Sequence, residues 1–290
     1  MLDFYKFTKL FLLLEIKFFK PRCKILQNYI EGYYFLSQNP TEEPISYLTF
    51  PNNFSILSIY EKIEITFLEN KVILTENHNY NFSSDLICNF KKPIHLNYIG
   101  AINEITFYFK PLGLNSFLPK NLSTYTNDFF SNFIPFDDYE LVMKEILNEK
   151  NQEIQCMMIE KYWLSKFIGF EHLFLDKVIS DLKTKEKEYT IAELALKHNI
   201  TRQHLSKHFE MHLCKTPSEF KKIQRFREVL KSQINKTTKE NFTSLSCEML
   251  FYDQSHLIKD FKSLTGLTPK NFFKNITSQE NGEINWLFVH

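Results

Sequence analysis

The chain has 290 residues, 43% of them hydrophobic and 24% charged, which supplies ordinary buried cores and, by length, two domains. No stretch reaches the ~18 apolar residues that a membrane helix needs, and the five cysteines (Cys23, Cys88, Cys156, Cys214, Cys247) include no C-x-x-C pair. That usage speaks against a disulfide framework or a cysteine-zinc site and fits reduced thiols in a cytoplasm.

The net charge of +1 conceals a division. Residues 182–274 hold 18 Lys and Arg against 10 Asp and Glu, a local charge of +8, and the remainder carries −7. A basic end on a near-neutral chain suggests that this end meets a polyanion while the other end has a different task.

In chain order, the opening run Phe11-Leu12-Leu13-Leu14 is broken by Glu15 and Lys17 and lacks a small-residue cleavage site. It reads as an apolar N-terminal segment rather than a signal peptide. Lys24–Phe35 is amphipathic and is a candidate helix. From about Phe18 to Leu118, runs rich in Ile, Phe, Tyr, Leu and Thr alternate with Asn, Pro and Ser clusters. Ile45–Phe50, Phe54–Tyr60, Ile63–Leu68, Val72–Thr75 and Ile105–Phe109 are candidate strands, with Pro51-Asn52-Asn53 and Glu69-Asn70 as turns. Such spacing predicts a small antiparallel barrel or sandwich. Metal-dependent catalysis there needs clustered His and carboxylate ligands, and this region supplies only His78 and His95 on separate segments. The chain is therefore read as a non-enzyme, with no catalytic residue.

After Phe136-Asp137-Asp138 the apolar positions Leu141, Met143, Ile146 and Leu147 take helical spacing. A second helical segment runs from Glu153 to about Lys183 through Met157, Trp163, Phe167 and Leu173. The charged run Lys183–Glu188 reads as a hinge or linker.

The next segment is the informative one. Ile191–His198 makes a helix of about two turns with Ile191, Leu194 and Ala195 on one side. Asn199 tolerates the left-handed turn that follows, and Thr201 stands where an N-cap is wanted. The next helix buries Leu205 and Phe209 and leaves Arg202, Gln203, Ser206 and Lys207 outside, which is a helix-turn-helix pattern. The pattern repeats: Phe242–Met249 with Leu245 and Met249 inside, a turn through Leu250–Tyr252, Asp253 as N-cap, then Leu257 and Phe261 buried. Gln254, Ser255, His256 and Lys259 are left exposed, and Leu205 and Leu257 are 52 positions apart. Between the two units lies Pro217–Ile234, capped by Thr216, with an apolar stripe of Phe220, Ile223, Phe226 and Leu230. It makes a rod of about 25 Å, able to hold two recognition helices near the ~34 Å separation of successive major grooves.

Residues 252–262 (Tyr-Asp-Gln-Ser-His-Leu-Ile-Lys-Asp-Phe-Lys) and then Thr265-Gly266-Leu267-Thr268-Pro269 closely resemble the second helix-turn-helix of AraC-type transcription regulators. Ile191–Ala195 with Thr201, Leu205 and Phe209 resembles their first unit, and Pro217–Phe220 with Arg225 the start of their linker helix. The resemblance covers about Tyr189 to Phe273. It implies major-groove reading by helices 201–211 and 253–263, with Gln203, Ser206, Lys207, Gln254, Ser255, His256 and Lys259 facing bases or phosphates, and Arg202 and Lys262 neutralising phosphates. Three positions depart from the family pattern: Cys214 and Leu250 stand where glycine is usual, and Ser246 replaces alanine. A weaker resemblance, in Pro21…Leu26…Ile30…Tyr33-Tyr34, Thr49-Phe50-Pro51 and Ile105–Gly113, implies a cupin-like sensor-type domain with no defined ligand.

His204, His208 and His212 recur at i, i+4 and i+8, and are read as polar groups of a recognition helix rather than metal ligands. No cofactor and no metal is expected. The expected fold is α+β. An antiparallel β domain (18–120, cupin-like barrel or sandwich) and a helical connector (121–182) precede an all-α double helix-turn-helix domain (183–275). The expected partners are double-stranded DNA, RNA polymerase, a small-molecule effector and a second copy of the chain, with no membrane, in a bacterial cytoplasm. Whether the protein activates or represses does not follow from any residue.

Overall fold

The computed structural model describes residues 15–38, 45–69, 71–128, 130–184, 187–234, 254–274, 276–281 and 284–289. The chain divides into two compact units, residues 1–47, 54–88 and 95–170 in the first, and residues 48–53, 89–94 and 171–290 in the second.

The strands of the β-rich part are β1 (Glu15–Phe19), β2 (Ile30–Gln38), β3 (Ile45–Thr49), β4 (Ser55–Tyr60), β5 (Ile63–Leu68), β6 (Lys71–Glu76), β7 (Ser83–Ile87), β8 (Ile94–Ile99), β9 (Ile102–Phe109) and β10 (Phe130–Asn132). One antiparallel sheet runs β1-β2-β9-β4-β7-β10, and another contains β3-β8-β6-β5. Neither closes into a barrel: β1 and β10 are the outer strands of the first sheet among the described residues. Nor is the second sheet wholly antiparallel, because β6 and β8 run parallel from Lys71↔His95 to Thr75↔Ile99. The chain leaves that sheet after β6, adds β7 to the other sheet and returns as β8, so the two strands meet in the same direction.

The candidate helix over Lys24–Phe35 is shorter than its amphipathic pattern suggests. Helix α1 (Lys24–Tyr29) stops where β2 begins. Tyr33, Tyr34, Phe35 and Leu36 are all buried, so this strand has two apolar faces and lacks the alternation that marks a half-exposed one.

The two sheets are joined by a buried polar centre. Glu104 on β9 accepts hydrogen bonds from the Tyr34 hydroxyl at 2.8 Å, the Tyr98 hydroxyl at 2.9 Å and the Thr106 hydroxyl at 2.5 Å. Tyr47 and Tyr98 meet at 3.2 Å, and Ser58 and Thr106 at 2.7 Å. Burial pushes the Glu104 carboxyl above the usual carboxylate range, and raises Asp85 on β7 to about 7.

On the other side of the first sheet, helices α2 (Tyr139–Asn148) and α3 (Gln152–Ser165) bury Met143, Ile146, Leu147, Ile159 and Trp163. Trp163 sits edge-on to Phe107, Phe109 and Phe117, with ring centroids 5.7, 5.0 and 5.3 Å away. The long helix expected from Glu153 to Lys183 is two helices: α3 ends at Ser165, Gly169 takes φ +74°, and α4 (Leu175–Lys183) starts afresh. Met157 and Leu173, two of the residues that suggested continuity, are exposed.

The second unit holds α4, then α5 (Ile191–Lys197), α6 (Arg202–Leu213), α7 (Pro217–Ile234), α8 (Gln254–Thr265) and α9 (Pro269–Lys274). A hairpin of β11 (Ile276–Asn281) and β12 (Ile284–Val289) follows, and Leu287 pairs with Leu48. The unit's core is built around α7. Ile223, Phe226, Val229 and Leu230 pack with Phe261 and Leu264 of α8, Phe272 of α9 and, from far earlier in the chain, Phe50. The segment carrying Phe50 is also held by its backbone. Arg227 donates to the carbonyl oxygens of Phe50 and Pro51, Lys215 to that of Asn52 at 3.1 Å, and the Asn53 amide donates to the Phe220 carbonyl at 3.0 Å. The residues read as a surface turn, Pro51-Asn52-Asn53, are thus acceptors and donors for the helical unit. None of the described helices is long and apolar enough to cross a membrane.

Phe50→Ala is expected to cost about 3–5 kcal/mol of stability, as aromatic truncation in a closed core does, read as a lowered urea midpoint of the full chain. Asp85 supplies a pH signature. Its folded pKa lies above the unfolded value, so its favourable contribution is complete below about pH 4 and is lost as pH rises towards 7. Asp85→Asn should flatten the fall in stability between those limits and raise stability at pH 7.5 by roughly 2–4 kcal/mol, measured as urea midpoints across pH.

Candidate DNA-binding interface

The first helix-turn-helix is set by local polar chemistry. Thr190 and Glu193 form a capping box at the start of α5: the Thr190 hydroxyl accepts from the Glu193 amide at 3.1 Å, and the Glu193 carboxylate accepts from the Thr190 amide at 2.8 Å. Asn199 adopts φ 55°, the left-handed turn its side chain tolerates, and the Ile200 amide donates back to Ala195 at 3.0 Å. Thr201 then caps α6 by accepting from the His204 amide at 3.1 Å. Asp181 of α4 steadies the turn, accepting from Lys197 at 2.7 Å and pairing with His198 at 2.8 Å.

On α6, Leu205 and Phe209 are fully buried, and Phe209 meets Phe220 of α7 edge-on at 5.8 Å. Arg202, Gln203 and Lys207 are exposed and Ser206 is half-buried, so these four expected site residues lie on the outer side of α6. His204 is exposed, but His208 is half-buried and His212 is buried, so the histidine series turns inward along the helix. His172, which sequence reasoning did not single out, comes to the same place: its Nε2 lies 2.9 Å from His208 Nδ1. Burial lowers the pKa of His172, His208 and His212, the last to about 4.

Cys214 closes α6 in the left-handed conformation, φ 55°, at the position where glycine is usual. A second box then starts α7, in which Thr216 accepts from the Glu219 amide at 3.2 Å and Glu219 accepts from the Thr216 amide at 2.9 Å. The rod has the bounds expected of it, Pro217–Ile234. Its polar side carries a bridge of charge: Arg225 pairs with Glu188 at 2.9 Å and with Asp260 of α8 at 2.6 Å, while Lys221 also meets Glu188 at 2.9 Å. Glu188, read as part of a linker, is therefore tied to α7.

The second recognition helix, α8, buries Phe261 and Leu264 and exposes Ile258, Lys259, Lys262 and Ser263. Gly266 ends it at φ 76°. Gln254, Ser255 and His256 stand in its first turn; their side chains, like that of Leu257, lie outside the described residues, as do the candidate helix Phe242–Met249, Cys247, Leu250 and Asp253. Among the described residues, Arg202, Lys207, Lys259 and Lys262 enter no ion pair, whereas Lys91, Lys197, Lys221 and Arg225 each hold a carboxylate. Cations off the two recognition helices hold carboxylates at these four positions, whereas the four on α6 and α8 do not.

This is the architecture of a helix-turn-helix DNA-binding domain, and residues 194–275 match the family model described as a helix-turn-helix domain. The chain is also similar to solved structures of ToxT from Vibrio cholerae. One, at 1.65 Å, is 14% identical over 80% of this chain and 97% of that one, with a TM-score of 0.40. Another, wild-type ToxT with an unsaturated fatty acid bound, is 14% identical over 80% and 95%, at 0.40. A third, bound to (E)-4-(8-methylnaphthalen-1-yl)but-3-enoic acid, is 13% identical over 80% and 98%, at 0.41. No curated protein matches the sequence.

Cys214→Gly should raise stability by about 1 kcal/mol, because glycine adopts the left-handed conformation without the Cβ clash. The midpoint of urea unfolding checks this; an unchanged or lowered midpoint would show that the cysteine side chain outweighs its backbone strain.

Proposed function

We propose that the protein is a sequence-specific transcription regulator that inserts α6 and α8 into successive major grooves on one face of a DNA duplex. The observation that carries this reading is the sorting of positive charge within a matched helix-turn-helix domain. Arg202 and Lys207 on α6, and Lys259 and Lys262 on α8, stand exposed and outside every ion pair among the described residues. Such cations release counterions when they meet phosphate, and this sequence-independent term supplies much of the affinity. Gln203, Ser206, Gln254, Ser255 and His256 add donors and acceptors suited to base edges, glutamine to adenine above all. The rod α7, 18 residues long and so about 27 Å, supports the spacing.

The first unit, in this reading, is non-catalytic and receives a signal, either a small molecule or a protein partner, with RNA polymerase and a second copy of the chain as further partners in a cytoplasm. Its buried polar centre, where burial pushes the Glu104 carboxyl above the usual carboxylate range, is unlike a polyanion-binding surface.

Lys207→Ala and Lys259→Ala should each weaken operator binding by roughly 1–3 kcal/mol and lower the slope of log affinity against log salt by about 1. The operator is obtained first, by capture and sequencing of genomic fragments on the wild-type protein. Unchanged footprints and salt slopes in both variants would overturn the reading.

A further inference from the structure

We propose that His172, His208 and His212 form a binding site for a borderline divalent transition-metal ion of the zinc class, fastening the first recognition helix to the turn that precedes α4. Four residues apart on α6, His208 and His212 share one face of the helix, their rings 5.9 Å apart and nearly parallel. His172 arrives from a separate stretch of chain, with ring centroids 4.8 Å from His208 and 5.2 Å from His212. One ligand nitrogen from each of the three lies within 4.8 Å of the others. Three imidazoles with one position left open to water is a familiar zinc donor set, and zinc–nitrogen bonds of 2.0–2.1 Å place the nitrogens roughly 3.3 Å apart. His172 and His208, now 2.9 Å apart, would open by a few tenths of an ångström while His212 moves inward.

The surroundings favour the donors. Burial lowers the pKa of all three rings, which is the direction that favours the neutral, lone-pair-bearing form a metal needs. Asp176 lies near enough to His172 to favour positive charge there, whereas His204 and Lys207 act in the opposite sense on His208.

His172 also has another duty, which makes the site conditional. Its Nδ1 accepts from the amides of Phe174 at 3.4 Å and Leu175 at 3.3 Å, where α4 begins without any cap from the Phe174 side chain. That arrangement places the ring proton on Nε2, donated to His208. An ion binding at Nε2 takes the place of that proton, which moves through solvent to Nδ1, and the two amides turn to water. Metal loading and the capping of α4 therefore compete for one imidazole.

The test uses the full chain, stripped with a chelator and titrated with zinc chloride alone, with no DNA present, so that its failure is separable from failure of the DNA-binding reading. One equivalent should bind saturably, and the melting temperature should rise by roughly 5 °C or more at a hundredfold excess over the dissociation constant. Cobalt(II) in place of zinc should give the visible bands of a four-coordinate nitrogen site without thiolate charge transfer. Exchange at the amides of Phe174 and Leu175 should accelerate on loading. His172→Ala and His208→Gln, whose side chains are less buried than that of His212, should each weaken binding at least tenfold while far-ultraviolet circular dichroism stays at the parental signal. Absence of saturable binding, or equal binding by parent and both variants, would overturn the proposal. The first outcome leaves only an imidazole–imidazole hydrogen bond, and the second puts the ion elsewhere, on the cysteine thiols first of all.

Discussion

The constraint on which the second unit depends is that one helix must serve two others. Helices as short as α5 and α6 are marginal in water by themselves, because nucleation costs more than a few turns return. They persist because their apolar sides are buried against something longer. Here that is α7, whose stripe turns Phe220 towards Phe209 of α6 and Phe226 towards Phe261 of α8. Because both contacts are made by one rod, the relative setting of α6 and α8 follows from the length and twist of α7. The aromatic core is closed by Phe272 and Phe50, with Phe50 and Phe272 edge-on at 5.1 Å. A helical domain that reads as self-contained in sequence thus takes one of its core side chains from residues 48–53.

How much of this was legible in the sequence tracks how local the physics is. The bounds of α7, the cap at Thr201, the left-handed Asn199 and the burial of Leu205 and Phe209 are decided within a few residues and were readable. Features decided over long separations were not. Phe50 looked like any strand-end aromatic, and its side-chain partners, Ile223 to Phe272, and the Arg227 that binds its backbone all lie far along the chain. Barrel and sandwich were both left open because strand spacing says how many strands there are but not which ones pair; the crossing of the chain between sheets at β7 is invisible to periodicity. His172 gave no signal because its partners, His208 and His212, are recognisable only once α6 is placed.

One misreading did have a local signal. The helix expected to run from Glu153 to Lys183 contains Gly169, which takes φ +74° three residues beyond the Lys166 C-cap of α3, a conformation no continuous helix contains.

The charge division of the sequence takes on a more specific meaning once each cation is placed. A local charge of +8 over residues 182–274 would be uninformative if the lysines and arginines were spread evenly over pairs with acidic neighbours. Instead several acidic residues of this unit pair with cations off the recognition helices: Glu188 with Lys221 and Arg225, Asp260 with Arg225, Glu219 with Lys91, Asp181 with Lys197. Their depressed carboxyl pKa values at Glu188, Glu219 and Asp181 show the pairs acting against the burial that would otherwise raise them. Arg202 and Lys207 on α6 and Lys259 and Lys262 on α8 are exposed and enter no ion pair among the described residues. Pairing a surface lysine with a carboxylate is worth little to stability, so leaving these cations unpaired costs the fold almost nothing, while each one kept available adds a phosphate contact and its share of counterion release. The asymmetry is therefore one that folding alone does not require, and a polyanion laid across both helices accounts for it.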